Sequence, residues 1–413
     1  MGPDPPHDQR AGGGEAGRWM KGAKWVRKTA DGRQAAAQPL AALTWEQVRA
    51  WRLQRQHLLQ RAPRAAMLDV AGAICGLHAQ VMSSAALTLW ARVADLEPET
   101  VARELWEERS LVKTWAMRGT LHLLPAAEFA LWRAALGTRQ HFRREGWLRG
   151  WGITAGEMDR LVAAIAAALD GRTLTREELV REVGRLTGSA ELGERLRESW
   201  GGLLKPAAYL GQLCFAPGTG PHVRFTRPDR WLQTSLDEMD PAVAMREIVR
   251  RYLTCSGPAT REDLARWWGT TVAAASRLIA GLGDEVAPVA VEGTPAWMLA
   301  SDVAAAREAG PVRSVRLLPA FDQYVVAATC HARALLPGDL RDRVYRTQGW
   351  LSPVVLVNGR MDGVWRHERK GHRLLVRIEP FVALPRWAKQ ATAAEAERLA
   401  DFLGGRLELS WSA

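Results

Sequence analysis

Apolar positions in the first quarter of the chain recur at helical spacing. Thr44 is a suitable N-cap for a first helix. The stretch 67–80 is apolar at about every third or fourth position, which predicts a second helix that ends at His78-Ala-Gln80. Two further helices are predicted over 83–96 and 98–108.

The pattern then changes to alternation, which predicts strands. Residues 111–124 alternate around a turn at Arg118-Gly119 and are predicted to form a hairpin. The same order recurs twice, with helices at 154–169, 174–186 and 199–211 before a hairpin at 213–225, and helices at 241–253, 259–268 and 270–281 before a hairpin at 286–299. Helices followed by a short hairpin are the order of a winged-helix unit, so the chain is predicted to carry such units in tandem.

After residue 311 the chain becomes rich in strand patterns. The predicted strands are 315–326, 353–357, 363–366 and 373–378, followed by a helix at 392–403 and a closing strand at 406–411. Asn358-Gly359 is a strong signal for a two-residue hairpin. The predicted division is a disordered basic tail over 1–41, winged-helix units over 42–150, 151–238 and 239–310, and a barrel-like β region over 311–413.

The composition excludes several classes of protein. No stretch approaches the roughly 18 uninterrupted apolar residues of a membrane span, and no secretory leader is expected. The four cysteines are far apart and never form a CxxC pair. A zinc site or a disulfide framework is therefore not expected, whereas a reducing cytoplasm is. No cofactor and no metal is expected.

The formal net charge of +11 is the first functional indication, because a positive surface attracts nucleic acids. The alternative at this point is a solvated, arginine-rich surface that binds nothing. The sharpest basic turn is 366–373, within a region that is itself strongly basic. The candidate DNA contacts are Lys113 and Arg118 in the first hairpin, and Arg366, Arg369, Lys370, His372 and Arg373 in this turn.

Three segments carry a resemblance to a known family. They are 76–80 (Gly-Leu-His-Ala-Gln), 115–122 (Trp-Ala-Met-Arg-Gly-Thr-Leu-His), and 317–324 (Leu-Leu-Pro-Ala-Phe-Asp-Gln-Tyr) with Asn358-Gly-Arg360 downstream. In this order they resemble the AlkZ/YcaQ family of bacterial winged-helix DNA glycosylases, over about residues 42–413. The resemblance implies an α+β fold in which tandem winged-helix units surround a small C-terminal β-barrel, in a C-shaped body that embraces DNA.

The resemblance also implies an activity, hydrolysis of the N-glycosidic bond of alkylated purines. The family's catalytic motif is polar, apolar, polar, and it falls on His78-Ala-Gln80. The azinomycin-resistance member has Gln in the first position, whereas His resembles the glycosylases of hedamycin and trioxacarcin resistance. The resemblance therefore implies bulky intercalating adducts at guanine N7 as substrates, and self-protection of a genotoxin producer.

Chemistry supports a role for this pair. Alkylation at N7 makes guanine a good leaving group, so the enzyme has to place a water and stabilise an oxocarbenium-like transition state. The Gln80 carbonyl oxygen can orient that water, and His78 can orient or deprotonate it. The two positions are about 200° apart on a helix, so they share a site only if the helix ends there and the chain turns. The structural alternatives are a helix-end histidine bonded to a carbonyl and a glutamine that caps the helix.

The other chemistry-bearing residues also have structural alternatives. Arg118 is either a phosphate contact or a buried structural arginine. Lys113 and Lys205 are candidate amine nucleophiles of a bifunctional glycosylase only by default. The residues interpreted as structural are His122, Asp322 as the partner of a neighbouring arginine, and the core tryptophans Trp90, Trp267 and Trp268.

The leading hypothesis is a monofunctional DNA glycosylase. Its expected partner is duplex DNA that carries bulky alkylguanine lesions, and it is expected to act as a cytoplasmic monomer without membrane contact. One alternative is a non-catalytic tandem winged-helix regulator, and another is a family member that only senses lesions. Regulators usually carry one such unit and a dimerisation element, so several units on one chain favour the wrapping of DNA by a monomer.

Overall fold

The computed structural model describes residues 27–28, 34–35, 39–220 and 222–412. Its contacts divide the described chain into two compact units. The middle unit comprises 103–245, and the split unit joins the residues before 103 to those after 245. The division into five segments made from the sequence stays a prediction. Most of the predicted tail lies outside the described residues, but strands β1 (Arg27–Lys28) and β2 (Gln34–Ala35) pair antiparallel within it.

The first segment of the split unit consists of short strands and helices. Its elements are β3 (Ala41–Leu43), α1 (Trp45–Arg55), α2 (Met67–Ala73), β4 (Leu77–His78), α3 (Met82–Trp90) and α4 (Thr100–Trp106), which runs into the middle unit. Thr44 caps α1 as predicted, because its hydroxyl accepts the Gln47 amide while the Gln47 side chain accepts the Thr44 amide. The second helix was predicted to reach Gln80, and that prediction is wrong.

The middle unit places a hairpin before and after a set of helices. Its elements are β5 (Leu111–Trp115), β6 (Leu121–Pro125), α5 (Phe129–Gly137), α6 (Glu145–Trp151), α7 (Ala155–Ala168), β7 (Leu174–Thr175), α8 (Arg176–Thr187), α9 (Ala190–Glu198), α10 (Lys205–Tyr209), β8 (Cys214–Thr219), β9 (His222–Thr226) and α11 (Pro228–Leu232). Strand β9 pairs antiparallel with both β7 and β8. A helix was predicted over 199–211, but the chain breaks at Gly201, whose φ of +98° suits glycine alone.

The second segment of the split unit begins with the third predicted set of helices and hairpin, which is confirmed. Its elements are α12 (Pro241–Ser256), α13 (Arg261–Trp268), α14 (Val272–Ala280), β10 (Val286–Val291), β11 (Thr294–Leu299) and α15 (Val303–Glu308). Strand β3 pairs parallel with β10, and Leu43, Trp51, Val289 and Met298 share one core there. The sequence did not predict β3, because three residues are too short for an alternation to be recognised.

The C-terminal part of the split unit is a sheet with a long helix. Its elements are β12 (Val315–Leu318), α16 (Gln323–Ala327), α17 (Ala332–Leu335), α18 (Arg341–Val344), β13 (Val354–Val357), β14 (Arg360–Lys370), β15 (Arg373–Pro380), α19 (Arg386–Leu403) and β16 (Arg406–Trp411). The strand order is β12-β13-β14-β15-β16, antiparallel except for the parallel pair β15 and β16, which α19 connects. Asn358 and Gly359 have φ of 50° and 79°, so the predicted two-residue turn is confirmed.

Two predictions for this region need correction. Within the described residues β12 and β16 are the edges of the sheet and do not pair with each other, so the predicted small barrel is not confirmed. The strand predicted over 315–326 ends at Leu318, because the chain turns at Phe321 with φ of 60° and Asp322 caps α16. Within the described residues no helix is long and apolar enough to cross a membrane.

Candidate functional site

The segment 75–80, here called the motif segment, turns out of α2 at residues 75–76 and contains strand β4 instead of continuing the helix. Cys75 and Gly76 both have positive φ, 61° and 86°, and this pair of left-handed residues stops α2. His78 then lies on strand β4, and Gln80 lies at the bend before α3. On a helix positions 78 and 80 would point in directions about 200° apart, and the end of α2 before the pair removes that constraint.

The two residues of the pair differ sharply in environment. His78 is 5% exposed, whereas Gln80 is exposed to solvent. The pair thus has one polar group shielded from bulk water and one in contact with it, and each can form a hydrogen bond with a water.

An aromatic stack fixes the plane of the His78 ring. The ring of Phe321 lies parallel to it, with centroids 4.8 Å apart and an interplanar angle of 6°. Trp350 in turn packs edge-on against the Phe321 ring, and the centroids of these two rings are 5.0 Å apart. Because both nitrogens of an imidazole lie in the ring plane, the stack sets the direction in which His78 donates and accepts.

A buried ion pair holds the residue that follows Phe321. The Arg92 guanidinium donates to both carboxylate oxygens of Asp322, at 2.7 and 2.8 Å, and neither side chain is exposed. Asp322 also accepts the amide of Tyr324 at 2.9 Å and so caps α16. The interpretation of Asp322 as a structural partner of an arginine is confirmed.

A second contact joins the first and third sequence motifs directly. The side-chain amide of Gln323 donates to the carbonyl oxygen of Gly76 at 2.7 Å. This bond spans 247 residues of sequence and is buried. The motif segment is therefore fastened at Gly76 by Gln323 and at His78 by Phe321, two residues that lie on either side of Asp322.

The Asn358-Gly359 turn packs against the same region. The Tyr324 hydroxyl donates to the carbonyl oxygen of Gly359 at 2.8 Å, and burial raises the pKa of Tyr324 to about 12, so the hydroxyl stays a donor. A Cβ at Gly359 would lie 2.7 Å from Cβ of Arg49 and 2.9 Å from the Tyr324 oxygen. Both this close approach and the positive φ require glycine at this position.

The turn 366–373, here called the basic hairpin, is exposed throughout, as a DNA contact requires. One of its predicted contacts has a structural role, because Arg369 donates to the carbonyl oxygens of Leu403 and Gly404 at 2.9 and 3.0 Å. A guanidinium at the C-terminal end of α19 satisfies free carbonyls and complements the helix dipole. His372 follows Gly371, whose φ is +61°.

Two other cations of the basic hairpin form ion pairs with carboxylates. Lys370 lies 3.4 Å from the Glu368 carboxylate, and Arg373 donates to Glu408 at 2.9 Å. Both pairs are exposed to solvent, so each contributes little stability and can exchange its partner for a phosphate.

One row across the strands carries arginines without carboxylate partners. Arg366 on β14 lies directly opposite Arg377 on β15, and Ser410 on β16 pairs with Arg377. Within the described residues neither guanidinium has a carboxylate partner. The row borders an open groove of about 760 Å³, which Glu368 and Glu408 also line. Like charges directly opposite each other in a sheet are destabilising, which suits a site that binds an anion. The sequence analysis missed Arg377, although 373, 375 and 377 alternate with the buried positions 374, 376 and 378.

The remaining predicted contacts lie in the middle unit. Lys113 lies on β5 with its ammonium 5.3 Å from the centroid of the Phe215 ring, and burial lowers the pKa of this lysine. Arg118 is half-buried in the turn before β6, with φ of 57°. His122 is buried, with Nδ1 3.0 Å from the Thr120 carbonyl oxygen, in agreement with a structural role. DNA contact by Lys113 and Arg118 stays a prediction.

The structure also describes the tryptophans, Lys205 and the cysteines considered in the sequence analysis. Trp90, Trp267 and Trp268 are buried, which confirms that they belong to the core. Lys205 is half-buried on α10. All four cysteines are free thiols, and across the described ranges no group of three or more His, Cys, Asp or Glu side chains is arranged to hold a metal ion.

Comparisons with known proteins agree on one family. A model of the AlkZ-like DNA glycosylases matches residues 71–402. An interstrand DNA cross-link repair glycosylase of Streptomyces sahachiroi is 37% identical over 365 residues, which are 87% of this chain and 97% of that protein. The solved structure of the Streptomyces sahachiroi DNA glycosylase AlkZ matches with a TM-score of 0.80 and 36% identity, and the match covers 90% of this chain and 100% of that one.

Proposed function

The chain belongs to the family of AlkZ-like DNA glycosylases, and we propose that it removes bulky N7-alkylguanine adducts from duplex DNA, with His78 and Gln80 as its catalytic pair. It is thus a DNA repair glycosylase whose substrate is DNA. The observation that carries the catalytic assignment is the stack of buried His78 on Phe321, with exposed Gln80 two residues further along the chain.

The proposed reaction is a hydrolysis. The bond between C1′ of the sugar and N9 of the alkylated guanine breaks, and the base leaves with the electron pair that neutralises its positive charge. The oxygen of a water forms the new bond to C1′, and the proton released from that water passes to His78 and then to solvent. The Gln80 carbonyl oxygen accepts a hydrogen bond from the same water and orients it. The product is an abasic site in an intact strand, as expected of a monofunctional enzyme.

The substrate class rests on the first residue of the motif. Histidine in this position resembles family members that act on bulky intercalated adducts. A bulky lesion leaves little room for several waters, and imidazole, a stronger base than an amide, can deprotonate a single one. We further propose that the activity protects a producer of such a genotoxin. The named activity of the Streptomyces sahachiroi relative, interstrand cross-link repair, is the competing substrate class for this chain.

We propose that the basic hairpin contacts DNA, and that the hairpins predicted at 111–124, 213–225 and 286–299 do so as well. The order of helices followed by a hairpin supports winged-helix units, which bind duplex DNA with a helix and a wing. The exposed rows of the basic hairpin carry cations that can track phosphates beside the reacting sugar. We propose that the protein does this as a monomer.

Purified protein and a duplex with one defined N7-alkylguanine test the proposal. After incubation, heat or alkali cuts the strand at each abasic site, and the cuts are counted on a denaturing gel. We expect cuts with the wild type, a reduction of about 10²–10⁴-fold in the rate for His78→Ala, and nearly complete loss for His78→Ala/Gln80→Ala.

A matched control separates catalysis from folding. Gln54→Ala removes the same side chain from an exposed position on α1 and should leave the rate unchanged. If the wild type binds the damaged duplex but leaves the glycosidic bond intact, the protein is a sensor or a regulator and the catalytic assignment is wrong. Parallel reactions with an interstrand cross-link decide between the two substrate classes.

A further inference from the structure

Trp350 is the exposed end of the series of rings that begins at His78. The Phe321 ring touches both, and it is 8% exposed, whereas Trp350 is 46% exposed. A large apolar side chain that stays in water forgoes the stabilisation that burial would give it. Its indole therefore presents a free aromatic surface at most two ring contacts from the histidine that we assign to catalysis.

The loop that carries Trp350 is built to hold it in place. The Arg346 amide donates to the Trp350 carbonyl oxygen at 2.9 Å, and Tyr345 and Leu351 form an antiparallel bridge at the base of the loop. The Tyr345 hydroxyl donates to the carbonyl oxygen of Val325 at 2.9 Å, within α16. The loop is thus tied to the same short helix that follows Phe321 and Asp322, and the indole is positioned before any ligand binds.

The surroundings of the indole fit a polyanion. Residues 346–350 are exposed, and Arg346 presents its cation on this loop. Arg341 lies on the preceding helix with its guanidinium 4.9 Å from the centroid of the Tyr345 ring. Stacking surfaces next to cations are how proteins hold unstacked or intercalated aromatic groups of nucleic acids.

We propose that Trp350 is a stacking subsite for a planar aromatic ring of the damaged DNA. The proposal rests on the function proposed above, which places the reacting guanine beside His78. A substituent on N7 of that guanine lies close to the glycosidic bond, so its ring can reach an indole two ring contacts away. Trp350 then selects lesions by the flat surface that they carry, without touching the reacting atoms.

A pair of substrates that differ only in the ring tests this directly. One duplex carries N7-methylguanine and the other carries N7-(naphthylmethyl)guanine at the same position. The measured quantity is the ratio of kcat/KM for the naphthyl duplex to that for the methyl duplex. We expect Trp350→Ala to lower this ratio about tenfold or more, and Trp350→Phe to retain most of it, because a phenyl ring still stacks.

Trp411→Ala is the matched control, since it removes a second exposed tryptophan at the chain end, and its ratio should equal that of the wild type. An unchanged ratio with unchanged rates overturns the proposal. So does an equal fall of both rates with Trp350→Ala, because Trp350 then supports Phe321 without selecting the lesion.

The failure of the proposed function gives a different result. In that case the wild type cleaves neither duplex, and the stacking subsite is tested by binding alone. The ratio of the dissociation constants for the two intact duplexes then replaces the ratio of rates. A ratio that Trp350→Ala leaves unchanged overturns the subsite whether or not the protein is active.

Discussion

The motif segment and the basic hairpin belong to the same unit, but they are stabilised in opposite ways. In the motif segment His78 is buried and stacked on Phe321, and Gly76 accepts a hydrogen bond from Gln323. Asp322, between these two partners, forms a fully buried ion pair with Arg92. In the basic hairpin every residue is exposed, and its ion pairs lie in water. One region has a single arrangement, and the other has charges that can change partners.

This difference corresponds to what the two proposed tasks require. Positioning a water for attack on C1′ demands side chains held to a fraction of an ångström, which buried and mutually braced groups provide. Binding a phosphate backbone demands cations that lose little when they leave their protein partners, and exposed pairs provide those. This difference leads to predictions for both regions. The largest effect is expected at the buried Asp322, and the smallest at Arg369 in the basic hairpin.

The largest effect is expected at Asp322. Asp322→Ala leaves the Arg92 cation buried without its carboxylate, and such a change costs about 3–5 kcal/mol of the free energy of unfolding. Glu408→Ala, which breaks the exposed pair with Arg373, should cost less than about 1 kcal/mol. Urea denaturation of the two variants measures both values. Equal costs would show that the two regions are not stabilised differently.

A double variant separates the effect of the buried charges on stability from the effect of Asp322 on the position of Phe321. Arg92→Met/Asp322→Leu removes both charges, so it should recover most of the stability that Asp322→Ala loses, apart from about 1 kcal/mol for the lost cap of α16. If Asp322 also positions Phe321, the refolded double variant should still cleave adducts more slowly than the wild type. Full activity would limit the ion pair to a role in stability.

The parts of this molecule that the sequence predicted are those with local causes. Thr44 and Gln47 are three residues apart, and the Asn358-Gly359 turn needs positive φ at two adjacent positions, so both can be recognised in a short window. The pairing of β3 with β10 and the bond from Gln323 to Gly76 join residues far apart in sequence, and no local pattern encodes them. The sequence offered His78 and Gln80 as candidates, but it did not predict the stack that orients His78.

The second helix was predicted to be too long, although the sequence contains a local signal for its end. Gly76 is a typical residue for the end of a helix, yet the apolar spacing continues to Leu77 and extended the predicted helix to Gln80. The predicted barrel is not confirmed, and the reason is different. Strand patterns give the number and order of strands, whereas closure depends on how the two edge strands meet, which is a property of the whole sheet.

An intermediate effect is expected on the affinity for DNA. Arg366→Ala/Arg377→Ala removes two cations without carboxylate partners, and Lys370→Ala/Arg373→Ala removes two cations that already have such partners. Each lost phosphate contact lowers the slope of log K against log salt by about 0.9. We expect a decrease of close to 2 for the first pair and a smaller one for the second, measured by fluorescence anisotropy over a series of salt concentrations. Equal slopes in both variants and the wild type would assign these strands to solvent.

The smallest effect is expected at Arg369, which the sequence placed among the DNA contacts and the structure places on the end of α19. Its guanidinium is occupied by the carbonyl oxygens of Leu403 and Gly404. Arg369→Ala should therefore lower the free energy of unfolding by about 0.3–1 kcal/mol and leave the salt slope of DNA binding unchanged. The neighbouring Lys370→Ala is the matched comparison, with the opposite pattern of a lower slope and unchanged stability. A lower slope for Arg369→Ala would mean that the arginine leaves the helix end when DNA binds, and the contrast between fixed and exchangeable charges would then apply within the hairpin itself.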